Sequence, residues 1–339
     1  MAVPCTTGRD RSPPRLVPWH ADVVHNPETV VHVEVITPRE VPLGGPRAMT
    51  VRRTLPQRQR SLIGAWCFVD HYGPDDVGES GGMLVPPHPH TGLQTVSWLF
   101  SGEVEHRDSG GAHALVRPGE VNLMTAGLGI CHSEVSTPQT TQLHGVQLWV
   151  ALPDSARSIA RGFERHVTSP IDLGGATLRV FLGTVAGFTS PVRTYSPILG
   201  AELVLAPGAR INLYVDPAFE HGVLVDSGAV ELASTRLEAN ELGYVGTGVT
   251  QLTVTDVGGD GARLVLLGGE PFGEEIVMWW NFVGRSHDDI VAMREDWQAE
   301  SDRFGTVEGY VGDPQRLPAP ELPHLTLRPR TNAPTTNAR

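Results

Sequence analysis

The chain has 339 residues and a formal charge of −12, from 26 Lys and Arg against 38 Asp and Glu. That balance disfavours direct binding to a nucleic-acid backbone, which needs a basic face. Every basic side chain is Arg and no lysine occurs, which excludes Schiff-base chemistry, lysine-bound pyridoxal phosphate and any P-loop mechanism.

Composition places the chain among soluble globular proteins, with 40% hydrophobic and 19% charged residues, and its length suffices for two domains with separate cores. No run approaches the ~18 apolar residues that would span a bilayer, and no basic stretch followed by an apolar one marks a leader. Cys5, Cys67 and Cys131 are odd in number and far apart, which is not a disulfide framework. The expected compartment is the cytosol, without membrane attachment.

In chain order, residues 1–28 carry Pro, Arg and Thr without periodicity and predict a loose arm. Arg9, Arg11 and Arg15 make it locally basic, as a solvated tail. β-branched residues at 30–36 and alternation at 50–55 predict strands, and residues 62–70 a buried strand. A loop at 73–82 follows. Further short strands are expected at 95–100, 104–107, 114–116 and 121–124, with a longer one at 143–151, separated by Gly and Pro turns. Trp98, Met124 and Trp149 belong to their core. Residues 153–165 predict a short helix or ordered linker, with Asp154 as N-cap and Ala156, Ile159, Ala160 and Phe163 on it. From 166 the strand-and-turn texture returns, without a second His-x-His pair, and His221 there reads as a lone strand or turn residue. Ser286, with Asp289 three residues on, starts a helix over 287–303, whose Ile290, Met293 and Trp297 share a face. His287 falls in its first turn as a structural residue. Six prolines after residue 312 predict a loose tail.

The chemistry concentrates between Gly82 and Glu134. His88 and His90 are two residues apart, so an extended backbone sends both imidazoles to one face. His132 and Glu134 repeat the spacing. Two such segments can hold one divalent metal inside a β structure, and three imidazoles with one carboxylate suit Fe(II), Mn, Co, Ni, Cu or Zn. Cys131 alternates to the opposite face and is expected in the wall. His106, His113 and His144 are candidates for supporting or surface roles.

The order of these motifs resembles the cupin superfamily, in which Gly-x5-His-x-His, here Gly82 to His90, is followed by a second His-bearing motif. Within it the wording is closest to the pirin family. The likeness is carried by His88-Pro89-His90-Thr91-Gly92, by Glu105-His106-Arg107-Asp108-Ser109, by Met124-Thr125-Ala126-Gly127 through His132-Ser133-Glu134, and by residues 143–150. A general cupin places a ligating Glu shortly after His-x-His, where this chain has Gln94, a neutral amide. The pirin family instead draws its carboxylate from the second segment, where Glu134 stands.

The resemblance implies an all-β bicupin: two tandem cupin-type β-barrels with a short C-terminal helix, only the first metallated. Its parts are the arm at 1–28, the metal-binding barrel at 29–152, a linker at 153–165, a second barrel at 166–304 ending in the helix, and a proline-rich tail at 305–339. It also implies one divalent metal per chain, with Fe(II) the first expectation, held by His88, His90, His132 and Glu134. Pirins are similar to quercetin 2,3-dioxygenases, which implies a dioxygenase acting on a flavonol-type or related enol, with Glu134 as base for the enol proton. The rival reading is an iron-binding co-regulator whose partner is another protein and whose state follows the metal's oxidation. A site kept for stability alone is the third.

Overall fold

Strand Ala262–Gly269 carries Leu264 and Leu266 on one face and Val265 and Leu267 on the other, so it is stable only where both faces are covered. The computed structural model, which describes residues 31–43, 49–330 and 332, shows how this is done. The strand lies inside a seven-stranded antiparallel sheet, ordered Val33–Ile36, Leu242–Val245, Glu220–Ser227, Ala262–Gly269, Ile198–Leu205, Ala176–Leu182 and Ile171–Asp172. A second sheet of seven runs Gly162–Val167, Glu120–Thr125, Leu93–Ser101, Gln142–Ala151, Trp66–Asp76, Thr50–Leu55 and Arg39–Pro42. The two meet back to back: Val96, Trp98, Val146 and Leu148 of one share a cluster with Phe181, Leu224, Val265 and Leu267 of the other.

The outer face of each large sheet is covered by a four-stranded sheet. In the first half this is Leu84–His90, Ile130–Ser136, Val104–Asp108 and His113–Val116, and in the second Arg210–Tyr214, Gln251–Asp256, Val230–Leu232 and Thr235–Leu237. The two interiors differ in chemistry. The second is filled with aliphatic side chains such as Leu178, Leu203, Leu213, Val223, Leu252 and Val254. In the first, Ser97, Gln147, His88, His90, His132 and Glu134 are all buried, and cross-sheet contacts bring them together.

The architecture is therefore mostly β, with helix His287–Gln298 near the C-terminus. Among the described residues no sheet closes on itself, so each half is a pair of facing open sheets and not the closed ring of strands expected of a barrel. Three further expectations change. Of the two alternatives for 153–165 the helix does not form: a turn is closed by Ala156 and Arg157 N–H donating to Pro153 O, and strand begins at Gly162. The helix fails to propagate because the chain is drawn into edge strand Gly162–Val167, paired with Glu120–Thr125. Strand Val33–Ile36 belongs to the sheet of the second half, paired with Leu242–Val245, so the halves interchange an edge. The C-terminal segment carries little regular structure but is docked: Leu317, Ala319, Leu322 and Leu327 join apolar clusters, and Asn332 Oδ1 accepts from the N–H groups of Ser61 and Leu62. The helix begins at the expected cap, with Asp289 N–H donating to Ser286 Oγ at 3.0 Å. It ends at Gln298, before Glu300 turns left-handed. The arm expected at 1–28 lies outside the described residues.

Candidate metal centre

Strand Leu84–His90 contains Pro86, Pro87 and Pro89, which cannot donate to a ladder, and it occupies the edge of its sheet, where prolines are tolerated. Its inner neighbour Ile130–Ser136 pairs His132 directly with His88, and the register slips between His132 and Glu134. On its other side the ladder is regular and sets Glu134 opposite His106 and His132 opposite Asp108. Pairing thus assembles the site from three neighbouring strands.

The donor atoms of His88, His90 and His132 lie within 4.8 Å of one another, and those of His106, His132 and Glu134 do likewise. His132 belongs to both groups. Each of the first three imidazoles has its Nδ1 engaged. His88 Nδ1 lies 2.9 Å from Pro86 O and His90 Nδ1 lies 3.2 Å from Asn281 O. A carbonyl only accepts, so both Nδ1 atoms carry the proton and both Nε2 atoms present lone pairs. His132 Nδ1 faces His106 Nδ1 at 3.3 Å, and His106 Nε2 lies 3.1 Å from Asp108 Oδ2. With His106 Nε2–H donating to that carboxylate, its Nδ1 accepts from His132 Nδ1–H, which leaves His132 Nε2 unprotonated as well. The Nε2 atoms of His90 and His132 then face each other at 3.1 Å, an arrangement of two lone pairs that calls for a cation between them.

The electrostatics agree. Burial holds His88 down to about 4, and the same desolvation holds His90 and His132 well below the usual imidazole value, aided by their neighbours. All three are neutral at pH 7, the form that ligates a metal. Burial pushes the Glu134 carboxyl above its ordinary range, partly offset by His106 and Ser97. The donor set fits a divalent metal.

Around it, Trp149 packs edge-on to His90 with centroids 5.1 Å apart and stacks on Phe68 at 4.0 Å, so this buried core ring also borders the site. Ser97 Oγ lies 2.8 Å from Gln147 Oε1 and 3.4 Å from Glu134 Oε1. Gln94 shares alternation with Val96 and Trp98, faces away from the site, and bonds Thr125 Oγ1 at 3.0 Å. Cys131 packs on the outer side against Val277 and Phe282, as its alternation predicts. His113 is exposed on Glu105, and His144 lies in a separate cluster with His71 and Asp226. Ser97, Gln147 and the Asn281 carbonyl had no signal in the sequence beyond strand alternation, and a backbone carbonyl leaves none at all.

The sequence comparisons agree with this geometry. The family description Pirin matches residues 48–150, and Pirin C-terminal cupin domain matches residues 200–305. A "Pirin-like protein" of Caulobacter vibrioides is 36% identical over 74% of this chain and 88% of its own length. The chain belongs to the pirin family. A Pseudomonas aeruginosa relative, provisionally named a quercetin 2,3-dioxygenase, is 44% identical over 88% of this chain and 93% of that protein. A solved structure titled as the quercetin 2,3-dioxygenase of Acinetobacter baumannii superimposes with a TM-score of 0.82 at 38% identity, covering 88% of this chain and 97% of the other.

The second half holds no comparable group of His, Cys, Asp or Glu of its own among the described residues. His221 is fully buried there, with neither ring nitrogen hydrogen-bonded among the described residues. Burial holds it down to about 4 from 6.5. A depressed imidazole contributes stability that is complete above pH 6.5 and lost as the pH falls toward 4, because the unfolded chain takes up the proton first. His221→Leu should therefore be better tolerated in acid: its thermal midpoint relative to wild type should rise on going from pH 7 to pH 4.5, by the equivalent of up to ~3 kcal/mol. Calorimetry of both proteins at the two pH values checks this, and metal content should not change.

Proposed function

We propose that the protein is a metal-dependent dioxygenase that opens a flavonol-type or related enol ring with O2. In this reading His88, His90, His132 and Glu134 hold one divalent metal, Fe(II) in the first instance, between the two facing sheets of the first half. The observation that carries it is the convergence of three unprotonated Nε2 atoms beside a buried carboxylate. The relatives named for quercetin 2,3-dioxygenase support the substrate class. The bound metal would supply Lewis acidity toward the enol oxygen and, if redox-active, a route for electrons.

The chain's own groups do the rest. Glu134 is the one member of the set able to take up the enol proton at neutral pH and release it later, since the imidazole nitrogens are committed to the metal or to their Nδ1 partners. Burial raises its proton affinity, and a bound divalent ion would act in the opposite direction. The single Ser97 hydroxyl proton is shared between Gln147 Oε1 at 2.8 Å and Glu134 Oε1 at 3.4 Å, so its hold on the carboxylate is the weaker of the two. The stacked Trp149 and Phe68 rings offer an aromatic wall for a flat polyphenol. Asp108, His106 and the Asn281 carbonyl hold the imidazoles in their ligating tautomer.

The test combines metal analysis with O2 uptake. Protein loaded with Fe(II) should consume O2 in the presence of flavonols and should form ring-opened product. Absence of uptake with any flavonol or related enol at full loading would reject the enzyme and favour the metal-responsive co-regulator. His88→Ala/His132→Ala should lose the metal of this centre, and His221→Ala should retain it. Full occupancy of the centre in the double variant would reject the ligand set.

A further inference from the structure

Along the seam between the two large sheets, three donor atoms from three strands converge on one point. His71 comes from Trp66–Asp76, His144 from Gln142–Ala151, and Asp226 from Glu220–Ser227 in the second half. His71 Nε2 and His144 Nε2 are 3.4 Å apart, and Asp226 Oδ1 lies 2.7 Å from the first and 2.5 Å from the second. All three side chains are buried, His144 retaining about 10% exposure as a route inward. We propose that His71, His144 and Asp226 form a second site for a borderline divalent cation of the Zn(II) or Co(II) type, bridging the two halves of the chain.

The donor set is two imidazoles and one carboxylate, a combination that suits such ions. The imidazole separation already equals the ligand–ligand distance of about 3.3 Å that a tetrahedral ion with Zn–N near 2.0–2.1 Å requires. The carboxylate oxygen must withdraw by roughly 0.6–0.8 Å from the two imidazoles, which rotation about its own side-chain bond provides. Its second oxygen is braced by Arg263 Nη1 at 3.3 Å, and the Phe100 ring packs edge-on against His144 at 4.9 Å, limiting its rotation. Arg263 is shared between Asp226 and Glu202, and Arg179 lies 3.9 Å from Glu202, so the two carboxylates and two guanidiniums sum to zero. Asp226 is then the one anionic donor, as Glu134 is at the first centre.

The support is thinner than there. His71 Nδ1 has no hydrogen-bond partner among the described residues, whereas His88, His90 and His132 each have one. Missing outer support costs ~10–100-fold in metal affinity, so this site should fill second. A cluster held by protons alone, both Nε2–H groups donating to Asp226, makes the opposite prediction that no ion enters.

The experiment titrates metal-stripped full-length protein with Co(II), following the visible absorption and the bound metal. Wild type should take two equivalents, the second ~10–100-fold weaker. Asp226→Asn/His144→Gln should keep the tight equivalent and lose the weak one, with circular dichroism confirming the fold. The single variant Asp226→Asn, which preserves shape, should weaken the same equivalent. His88→Ala/His132→Ala should keep the weak equivalent and lose the tight one, which separates this inference from the ligand set of the first centre. Saturation of wild type at one equivalent that disappears in His88→Ala/His132→Ala would overturn the proposal. So would an unchanged second equivalent in Asp226→Asn/His144→Gln.

Discussion

Glu134→Gln should lower flavonol-dependent O2 uptake by ~10²–10⁴-fold per bound metal, the range associated with losing a general base. The amide keeps an oxygen in the same place and nearly the same shape, so it separates proton transfer from ligation. The wild-type rate per bound metal should fall away in acid, where the carboxyl is protonated and cannot act as base. The variant should lack that acid limb. Some metal is expected to dissociate, so rates are compared after metal analysis of the same samples. A variant that holds metal, turns over normally and keeps the acid limb would leave Glu134 as a ligand only. Ser97→Ala gives the graded counterpart: it removes the 3.4 Å contact to Glu134 Oε1 without touching the carboxylate, so its loss should be smaller and the acid limb should persist.

Those residues differ in how readily they could be read from sequence. His88-x-His90 and His132-x-Glu134 are legible because a strand has a period of two, and two polar residues at that period must share a face. What joins the pairs is not local. Cross-strand pairing of His132 with His88 and of Glu134 with His106 depends on a register between segments more than forty residues apart for the first pair and twenty-eight for the second, and no local pattern encodes it. His106 was accordingly only one candidate among three histidines, although it turns out to set the tautomer of His132. The Asn281 carbonyl that orients His90 is farther still in sequence and has no side-chain signature.

At the level of fold, strand texture revealed the mostly-β architecture and the capped helix. Helical spacing from Ala156 to Phe163 was misleading, because an edge strand of Glu120–Thr125 stood open to claim residues 162–167. Proline content after residue 312 suggested a loose tail, yet prolines forbid regular ladders without forbidding packing. Leu317 N–H still reaches Pro87 O at 2.8 Å and ties the tail to the strand that carries His88. The shared core is the feature least visible in sequence, since the strands of the large sheets carry apolar residues on both faces, as Leu264 and Val265 do, and nothing local says which face meets the other half.

Trp66 is the sharpest probe of that shared core. It is fully buried in the cluster that joins the halves, and its indole Nε1–H lies 3.1 Å from both Leu199 O and Gly268 O on neighbouring strands of the second half. Trp66→Ala should destabilise the protein by ~3–5 kcal/mol, the cost of truncating a buried aromatic when the cavity cannot collapse. Collapse is hindered here because the seam is formed by two sheets whose strands are held by their own ladders. Trp66→Phe keeps most of the volume and removes a donor whose two acceptors also belong to the ladder between their strands, so it should cost ~0.5–1.5 kcal/mol, the net value of one hydrogen bond. Urea unfolding followed by tryptophan fluorescence and by far-ultraviolet circular dichroism measures both. Because the core belongs to both halves, wild type should unfold in one transition with coincident midpoints, and Trp66→Ala should lower both signals together. Two separated transitions in wild type, with only one moved by the substitution, would show that each half is stable alone and that the seam contributes little.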